Sequence, residues 1–109
     1  MAVEAKAVVL NVGNARRAAE FWTGALGYQA QEDAPDFLVP PTGDGVRVHL
    51  DETDRMHLDL WVDRSSSDLE TEVDRLLAGG ATRVEWTYPE DADFVVLADT
   101  EGNLFCVIA

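Results

Sequence analysis

Residues 47–62 read RVHLDETDRMHLDLWV and contain one tripeptide twice, as His49-Leu50-Asp51 and His57-Leu58-Asp59. These are the only two histidines in the chain. An imidazole titrates near neutral pH, and a carboxylate partner can orient it as a general base. Histidine and aspartate are also common metal ligands. The twin triplets therefore predict acid/base chemistry, a metal site, or only polar side chains on two similar strands.

The surrounding sequence predicts strands interrupted by two helices. Residues 7–12 are apolar and β-branched, which is typical of a strand, and residues 14–27 predict a helix that begins at Asn14 and ends at Gly27. Short strands are predicted at 28–33, 37–40 and 46–51, with turns at 34–36 and 41–45. The order then repeats with a strand at 56–62, a helix at 65–80 that begins with a serine cap, and strands at 81–86, 94–98 and 104–108.

This order indicates an internal repeat of about fifty residues, in which Val8, Leu10 and Val12 correspond to Leu58, Leu60 and Val62. The sequence therefore predicts an α+β fold made of two βαβββ units, residues 1–54 and 55–109, in a single domain. We expect helices on the outer face of a mixed sheet and a cup formed by its other face.

Alternation along the strands predicts which side chains share the face away from the helices. Leu58, Leu60 and Val62 are expected to pack under the second helix, as are Phe105 and Val107. The face that we expect to line the cup carries Asn11, Arg47, His49, Asp51, His57, Asp59, Trp61 and Cys106. A concave surface with apolar walls and a few polar groups is typical of a ligand site.

Three motifs resemble the vicinal oxygen chelate superfamily of glyoxalases, bleomycin-resistance proteins and dioxygenases. They are FWTGALGY at 21–28, HLDLWV at 57–62 and DTEGN at 99–103, where Thr100 stands in place of the family's proline. The resemblance covers nearly the whole chain. It implies a cup-shaped site and usually a homodimer, but no single reaction, because one fold serves many functions.

The resemblance also implies four metal-ligand positions, which here are Ala7, His49, His57 and Cys106. An alanine has no donor atom, and a cysteine replaces the expected carboxylate, whereas hard divalent ions prefer oxygen ligands. We therefore expect no metal cofactor. If a metal is bound, His49, His57 and Cys106 are its expected ligands. Asp51 and Asp59 share the same face and are substitutes.

Aromatic and acidic side chains on the predicted face favour a flat or cationic ligand. Trp61 and Trp86 supply aromatic surface, and Asp51 and Asp59 supply negative charge. We therefore predict a metal-independent small-molecule-binding protein in which Cys106 is a small lining residue.

Three other functions stay open on the sequence. One is a metal-independent isomerase or lyase with His57 as general base, His49 as second choice, and Asp59 or Asp51 as the orienting carboxylate. Another is a divalent-metal-dependent enzyme of the glyoxalase or dioxygenase type. The last is an interaction module with no cavity.

The composition excludes several partners. The chain carries 8 Lys and Arg residues against 21 Asp and Glu residues, a net charge of −13, which disfavours nucleic-acid binding. It has no apolar run near the roughly 18 residues of a membrane span and no signal-peptide pattern, so we expect a cytoplasmic protein with no membrane partner. Cys106 is the single cysteine, so no internal disulfide forms.

Overall fold

The chain folds into two βαβββ units in the predicted order. The computed structural model describes residues 2–109. The first half contains β1 (Val3–Asn11), α1 (Ala15–Leu26), β2 (Gln29–Gln31), β3 (Ala34–Val39) and β4 (Arg47–Asp51). The second half contains β5 (His57–Val62), α2 (Leu69–Ala78), β6 (Thr82–Arg83), β7 (Phe94–Ala98) and β8 (Leu104–Ile108). The α+β class is confirmed.

Packing divides the chain close to the repeat boundary. Lys6–Met56 form a compact first unit, and His57–Ala109 form the second unit together with the start of β1 up to Ala5. β1 therefore contributes residues to both units. Within residues 2–109, no helix is long and apolar enough to cross a membrane.

The first unit has the strand order β2-β3-β4-β1. β1 and β4 are parallel, with Leu10 beside Leu50, and β3 is antiparallel to β4, with Leu38 beside Val48. Parallel neighbours require a crossover connection, which α1 and the β2–β3 hairpin provide. Leu38 and Leu50 are fully buried, and α1 contacts the two strands that carry them.

Helix α1 begins and ends where the sequence predicts. The Asn14 side chain accepts a hydrogen bond from the Arg17 amide at 2.9 Å, and Gly27 ends the helix in the left-handed conformation with φ 70°. The apolar stripe of the helix is only partly buried, because Phe21 is 64% exposed. The Phe21 ring packs edge-to-face on Trp22. The helix therefore presents apolar surface to solvent in the single chain.

The second unit has the strand order β5-β8-β7-β6, with β5 and β8 parallel. Its core contains Val62, Val73, Leu97 and Val107, and Phe105 packs against this cluster. The prediction that Val62 and Val107 face α2 is thus confirmed. Leu58 was expected on the same covered face but is 44% exposed, because it lies about 13 Å before Val62 along the strand and outside this core.

Helix α2 begins with an aspartate cap rather than the predicted serine cap. The Asp68 carboxylate accepts a hydrogen bond from the Thr71 amide at 2.8 Å. The serines are used otherwise, since Ser65 donates to the Asp63 carboxylate and Ser67 donates to Glu72. The three serines therefore belong to the turn that precedes the helix.

Two local predictions were wrong because long-range pairing decided them. Residues 34–36 were expected to turn, but Gln31 pairs with Ala34, so the turn is at residues 32–33. The strand expected at 81–86 shortens to Thr82–Arg83, which alone pair with β7. Residues 84–93 lack regular structure, so Trp86 does not end a strand as predicted.

Candidate functional site

Strand register gathers the chemistry-bearing residues of the second unit on one face. Asp59 of β5 pairs with Cys106 of β8, which pairs in turn with Val96 of β7. One row further, Trp61 pairs with Ile108, which pairs with Phe94. Directly paired residues share a face, and this face is opposite to the α2 core. It therefore combines a polar row with an apolar and aromatic row.

Three potential donors converge in the polar row. The Nε2 atom of His57 lies 3.3 Å from Oδ1 of Asp59. One donor atom from each of His57, Asp59 and Cys106 lies within 4.8 Å of the other two. We call these three residues the donor trio. The side chains of His57 and Asp59 are only 9% and 11% exposed, so the pair is largely removed from water.

The His57–Asp59 contact forms along one strand. Residues i and i+2 of a strand are about 6.6 Å apart, and from that spacing a contact across strands is expected. The side chains instead lean toward each other along β5, as strand side chains can. A carboxylate with so little water around it needs a compensating partner, and the imidazole supplies one.

His49 lies in the first unit and has an aromatic neighbour that the sequence did not single out. Its ring stacks on Phe37 with centroids 4.0 Å apart and planes 8° from parallel. Phe37 pairs with His49 across β3 and β4, and Val9 pairs with His49 across β1 and β4. Arg47 precedes His49 by one strand repeat and is exposed. The sequence FLVP at 37–40 could have predicted the position of Phe37. Phe37 and Val39 alternate with the buried Leu38, so they lie on the face opposite to it.

Asp51 and Asn11 take part in the loop that follows β4. The Asp51 carboxylate accepts hydrogen bonds from the amide and hydroxyl of Thr53 and from the Asp54 amide, at 2.8, 2.9 and 3.0 Å. The Thr53 bonds, chiefly the backbone one, hold the pKa of Asp51 below its ordinary value. The Asn11 amide donates to the Asp54 carbonyl at 2.7 Å. Both side chains thus stabilise the loop.

The two candidate tryptophans lie in different settings. Trp61 is half-buried on the face of the donor trio. Trp86 is 40% exposed in the irregular segment between β6 and β7. Tyr88 lies near Trp86 in sequence and was not among the predicted site residues: its hydroxyl accepts a hydrogen bond from the Val96 amide at 2.9 Å, and its ring contacts Phe94. Tyr88 therefore stabilises β7, whereas Trp86 does not belong to a strand.

The four-position metal set implied by the resemblance does not fit this chain. Ala7 is fully buried and offers a methyl group where a ligand is expected. Cys106 offers sulfur where a carboxylate is expected. Hard ions such as Mg²⁺ or Mn²⁺ prefer several oxygen ligands, which these positions lack. Asp59, from outside that set, is the carboxylate that joins His57 and Cys106 in the second unit.

Three surface depressions lie away from the donor trio. One of about 500 Å³ lies between α1 and the β2–β3 hairpin and is lined by Arg16, Glu20 and Asp36 among others. Another of about 290 Å³ is lined partly by Asp51 and Glu52. A third of about 310 Å³ lies beside α2 and includes Arg83.

Comparisons with known proteins identify relatives of this fold. The model of the glyoxalase-like domain matches residues 7–108. A structure described as an NAD-dependent benzaldehyde dehydrogenase from Legionella pneumophila is 21% identical with a TM-score of 0.60, over 94% of this chain and 96% of that one. This likeness shows the fold alone.

Two further structures are more distant. A member of the glyoxalase/bleomycin resistance protein/dioxygenase superfamily from Sphaerobacter thermophilus is 18% identical with a TM-score of 0.39, over 96% of this chain and 95% of that one. A glyoxalase-related enzyme from Fulvimarina pelagi is 17% identical with a TM-score of 0.36, over 96% and 86%. No curated protein matches the chain.

Proposed function

The chain belongs to the glyoxalase-like domain family, and on that premise we propose that it binds a small organic molecule on the face that carries the donor trio and Trp61. The family match confirms the resemblance that the three sequence motifs predicted. The observation that carries the proposal is the His57–Asp59 pair, nine-tenths buried on a face whose other residues are mainly apolar. A buried pair of this kind is weak evidence of a role in stability.

The neighbours of the pair indicate the class of ligand. Trp61, Phe94 and Ile108 follow the polar row and are half-buried, so a ligand can cover their remaining surface. Aromatic and aliphatic surface suits the flat apolar body of a ligand, and the Asp59 carboxylate suits a cationic or hydrogen-bond-donating group. The net charge of −13 also attracts cations over long range. A flat molecule with one cationic or donor group fits both rows.

We propose that this binding does not require the hard divalent ion implied by the resemblance. The buried methyl group of Ala7 and the sulfur of Cys106 support this view, because neither offers the oxygen that such an ion prefers. His57 and Asp59 supply the polar contacts directly. The ligand is then oriented by hydrogen bonds and aromatic contact.

A second candidate function follows from the 3.3 Å contact of His57 with Asp59. A proton on Nε2 directed at the carboxylate leaves the lone pair on Nδ1, which is the arrangement of a general base. In an isomerase or lyase, His57 would take a proton from an activated carbon of the substrate, and Asp59 would stabilise the imidazolium. In an isomerase, the proton would return to another carbon of the substrate. In a lyase, the electron pair left on the carbon would expel a leaving group from the adjacent carbon, and the proton would pass to that group or to solvent.

A ligand screen and two tryptophan variants test the binding proposal. Thermal-shift screening of flat cationic and neutral aromatic compounds, in the presence of a chelator, should yield at least one saturable ligand. Trp61→Ala should weaken the binding of that ligand by about 1–3 kcal/mol, which is the contribution of a buried aromatic contact. Trp22→Phe is the matched control, since Trp22 lies on α1 of the first unit. Equal affinity of the wild type and Trp61→Ala would contradict the proposal.

The same ligand separates binding from catalysis. His57→Gln should change affinity by about 0.5–1.5 kcal/mol if His57 only donates or accepts a hydrogen bond. If His57 is a general base, the variant should keep its affinity and lose roughly 10²–10⁴-fold in turnover. NMR measurement of product formation by the wild type and by His57→Gln distinguishes these results.

A further inference from the structure

We propose that the donor trio is a binding site for Zn²⁺ or a similar borderline divalent ion, held within the second unit alone. Two of its members, His57 and Cys106, stand at positions that the resemblance implies, but Asp59 does not, and the favoured class of ion differs. The proposal goes beyond the binding of an organic ligand and does not depend on it. Metal binding is measured without that ligand, and ligand binding is measured in chelator.

The spacing of the donors matches a tetrahedral ion. Bonds of about 2.0–2.2 Å from Zn²⁺ to nitrogen and oxygen place two such ligand atoms about 3.3–3.6 Å apart. The His57 Nε2 to Asp59 Oδ1 distance is 3.3 Å, so these two donors already have that separation. The Cys106 thiol lies within 4.8 Å of one donor atom of His57 and one of Asp59, so all three side chains are within reach of one ion.

The backbone holds the three donors in register. Asp59 and Cys106 are direct partners on the parallel strands β5 and β8, and His57 lies two residues before Asp59 on the same strand. Ligands on paired strands lose little conformational freedom when an ion binds. Val96 pairs with Cys106 on its other side, so the backbone that carries the thiol is held between two strands.

The donor types select the ion. One imidazole, one carboxylate and one thiolate form a mixed nitrogen, oxygen and sulfur set that suits Zn²⁺, whereas Mg²⁺ and Ca²⁺ prefer oxygen alone. Three protein ligands leave a fourth position for water or a ligand atom. Binding breaks the S–H bond of Cys106, forms a zinc–sulfur bond and releases one proton to solvent.

Titration of metal-free protein with Zn²⁺ by calorimetry tests the site, and Co²⁺ serves as a spectroscopic probe. We expect one equivalent to bind with proton release, and Co²⁺ to give the thiolate charge-transfer band and the intense visible bands of tetrahedral coordination. Cys106→Ser should abolish the charge-transfer band. Asp59→Asn should lower the affinity for Zn²⁺ by at least about tenfold. Asp36→Asn, an exposed carboxylate of β3, is the matched control and should leave Zn²⁺ affinity unchanged.

The histidine of the first unit distinguishes this site from the set implied by the resemblance. His49→Phe keeps an aromatic ring beside Phe37 and should leave Zn²⁺ affinity unchanged. A loss equal to that of Asp59→Asn would overturn the assignment in favour of His49. Failure of wild type to bind one equivalent, or full affinity in Cys106→Ser, would also overturn it.

A measurement on the wild type alone guards against variants that fail to fold. Alkylation of the Cys106 thiol should slow at least about tenfold when one equivalent of Zn²⁺ is present, because coordination to zinc lowers the nucleophilicity of the sulfur. Mg²⁺ at the same concentration should have no effect. An unchanged alkylation rate with Zn²⁺ would overturn the proposal whatever the variants do.

Discussion

The buried His57–Asp59 pair is the residue-scale feature that most needs an explanation. Desolvation of a carboxylate and an imidazole offsets most of the attraction between them, so such pairs are weak evidence of a stability role. Their side chains are about nine-tenths buried. A pair retained for binding or catalysis should therefore be dispensable for folding if both members are replaced together.

We predict opposite stability changes for single and double replacement of this pair. Asp59→Ala should lower the free energy of unfolding by about 1–3 kcal/mol, because it leaves a buried polar ring with one partner fewer. The double variant His57→Leu with Asp59→Leu should be neutral or more stable by about 1–4 kcal/mol. Urea denaturation of the three proteins measures both changes. A double variant less stable than Asp59→Ala would show that the pair holds the fold together.

At the element scale, α2 is tied to its surroundings by Glu72. This buried carboxylate accepts hydrogen bonds from the Ser67 hydroxyl at 2.7 Å, from Arg75 at 2.9 Å and from the Ala2 amide at 3.2 Å. Together, and led by the Ser67 bond, they hold the pKa of Glu72 below its ordinary value of 4.5. One side chain thus links the helix to the turn before it and to the start of β1.

Acid should remove this contribution to stability. Because the pKa of Glu72 is lowered in the folded protein, its stabilisation is complete above the ordinary value of 4.5 and is lost as the pH falls through the folded pKa. Glu72→Gln should therefore be less stable than wild type at pH 7, and the difference should shrink by about pH 3. Thermal denaturation at both values measures it. Glu70→Gln, an exposed neighbour on the same helix, should show little difference at either pH.

The N-terminal cap of α2 is a separate element-scale contribution. Asp68→Ala removes the acceptor for the Thr71 amide and should cost about 0.5–2 kcal/mol of stability. Asp68→Asn retains an acceptor oxygen and should therefore lose little stability. Chemical denaturation of both variants checks the order. If Asp68→Ala is as stable as wild type, the assignment of Asp68 as the cap fails.

At the scale of the whole molecule, both units protect their outermost strands by making them short. β2 has three residues and β6 has two, so neither offers a long edge for pairing with another chain. Strand edges are therefore a weaker reason to expect a homodimer than the exposed apolar side chains. Several large apolar residues are exposed to solvent, among them Met56, Phe21, Leu26 and Leu58.

We still propose a homodimer, now on the basis of these exposed residues. Sedimentation at tens of micromolar should give a species of twice the 12.0 kDa chain mass. Phe21→Ser or Leu58→Ser should shift the equilibrium toward single chains if its side chain lies in the interface. A wild type that sediments only as a single chain at that concentration would refute the proposal.

The amino-acid sequence by itself determined the elements and their order, because the signals for them are local. The alternation in β5, the Asn14 cap and the Gly27 stop depend on residues a few positions apart. Alternation also assigned His57, Asp59 and Trp61 to one face, and the family motifs identified the family. None of these inferences required knowledge of which strands become neighbours.

Only the tertiary structure decided which side chains meet. The convergence of Asp59 with Cys106 and the stacking of Phe37 on His49 depend on register between strands distant in sequence. The length of β6 depends on how far it pairs with β7. Only Thr82 and Arg83 pair, so Trp86 lies in an irregular segment. The turn before β3 moved to residues 32–33 for the same reason. Register is set by the pairing and packing of whole strands, and a local pattern specifies faces but not partners.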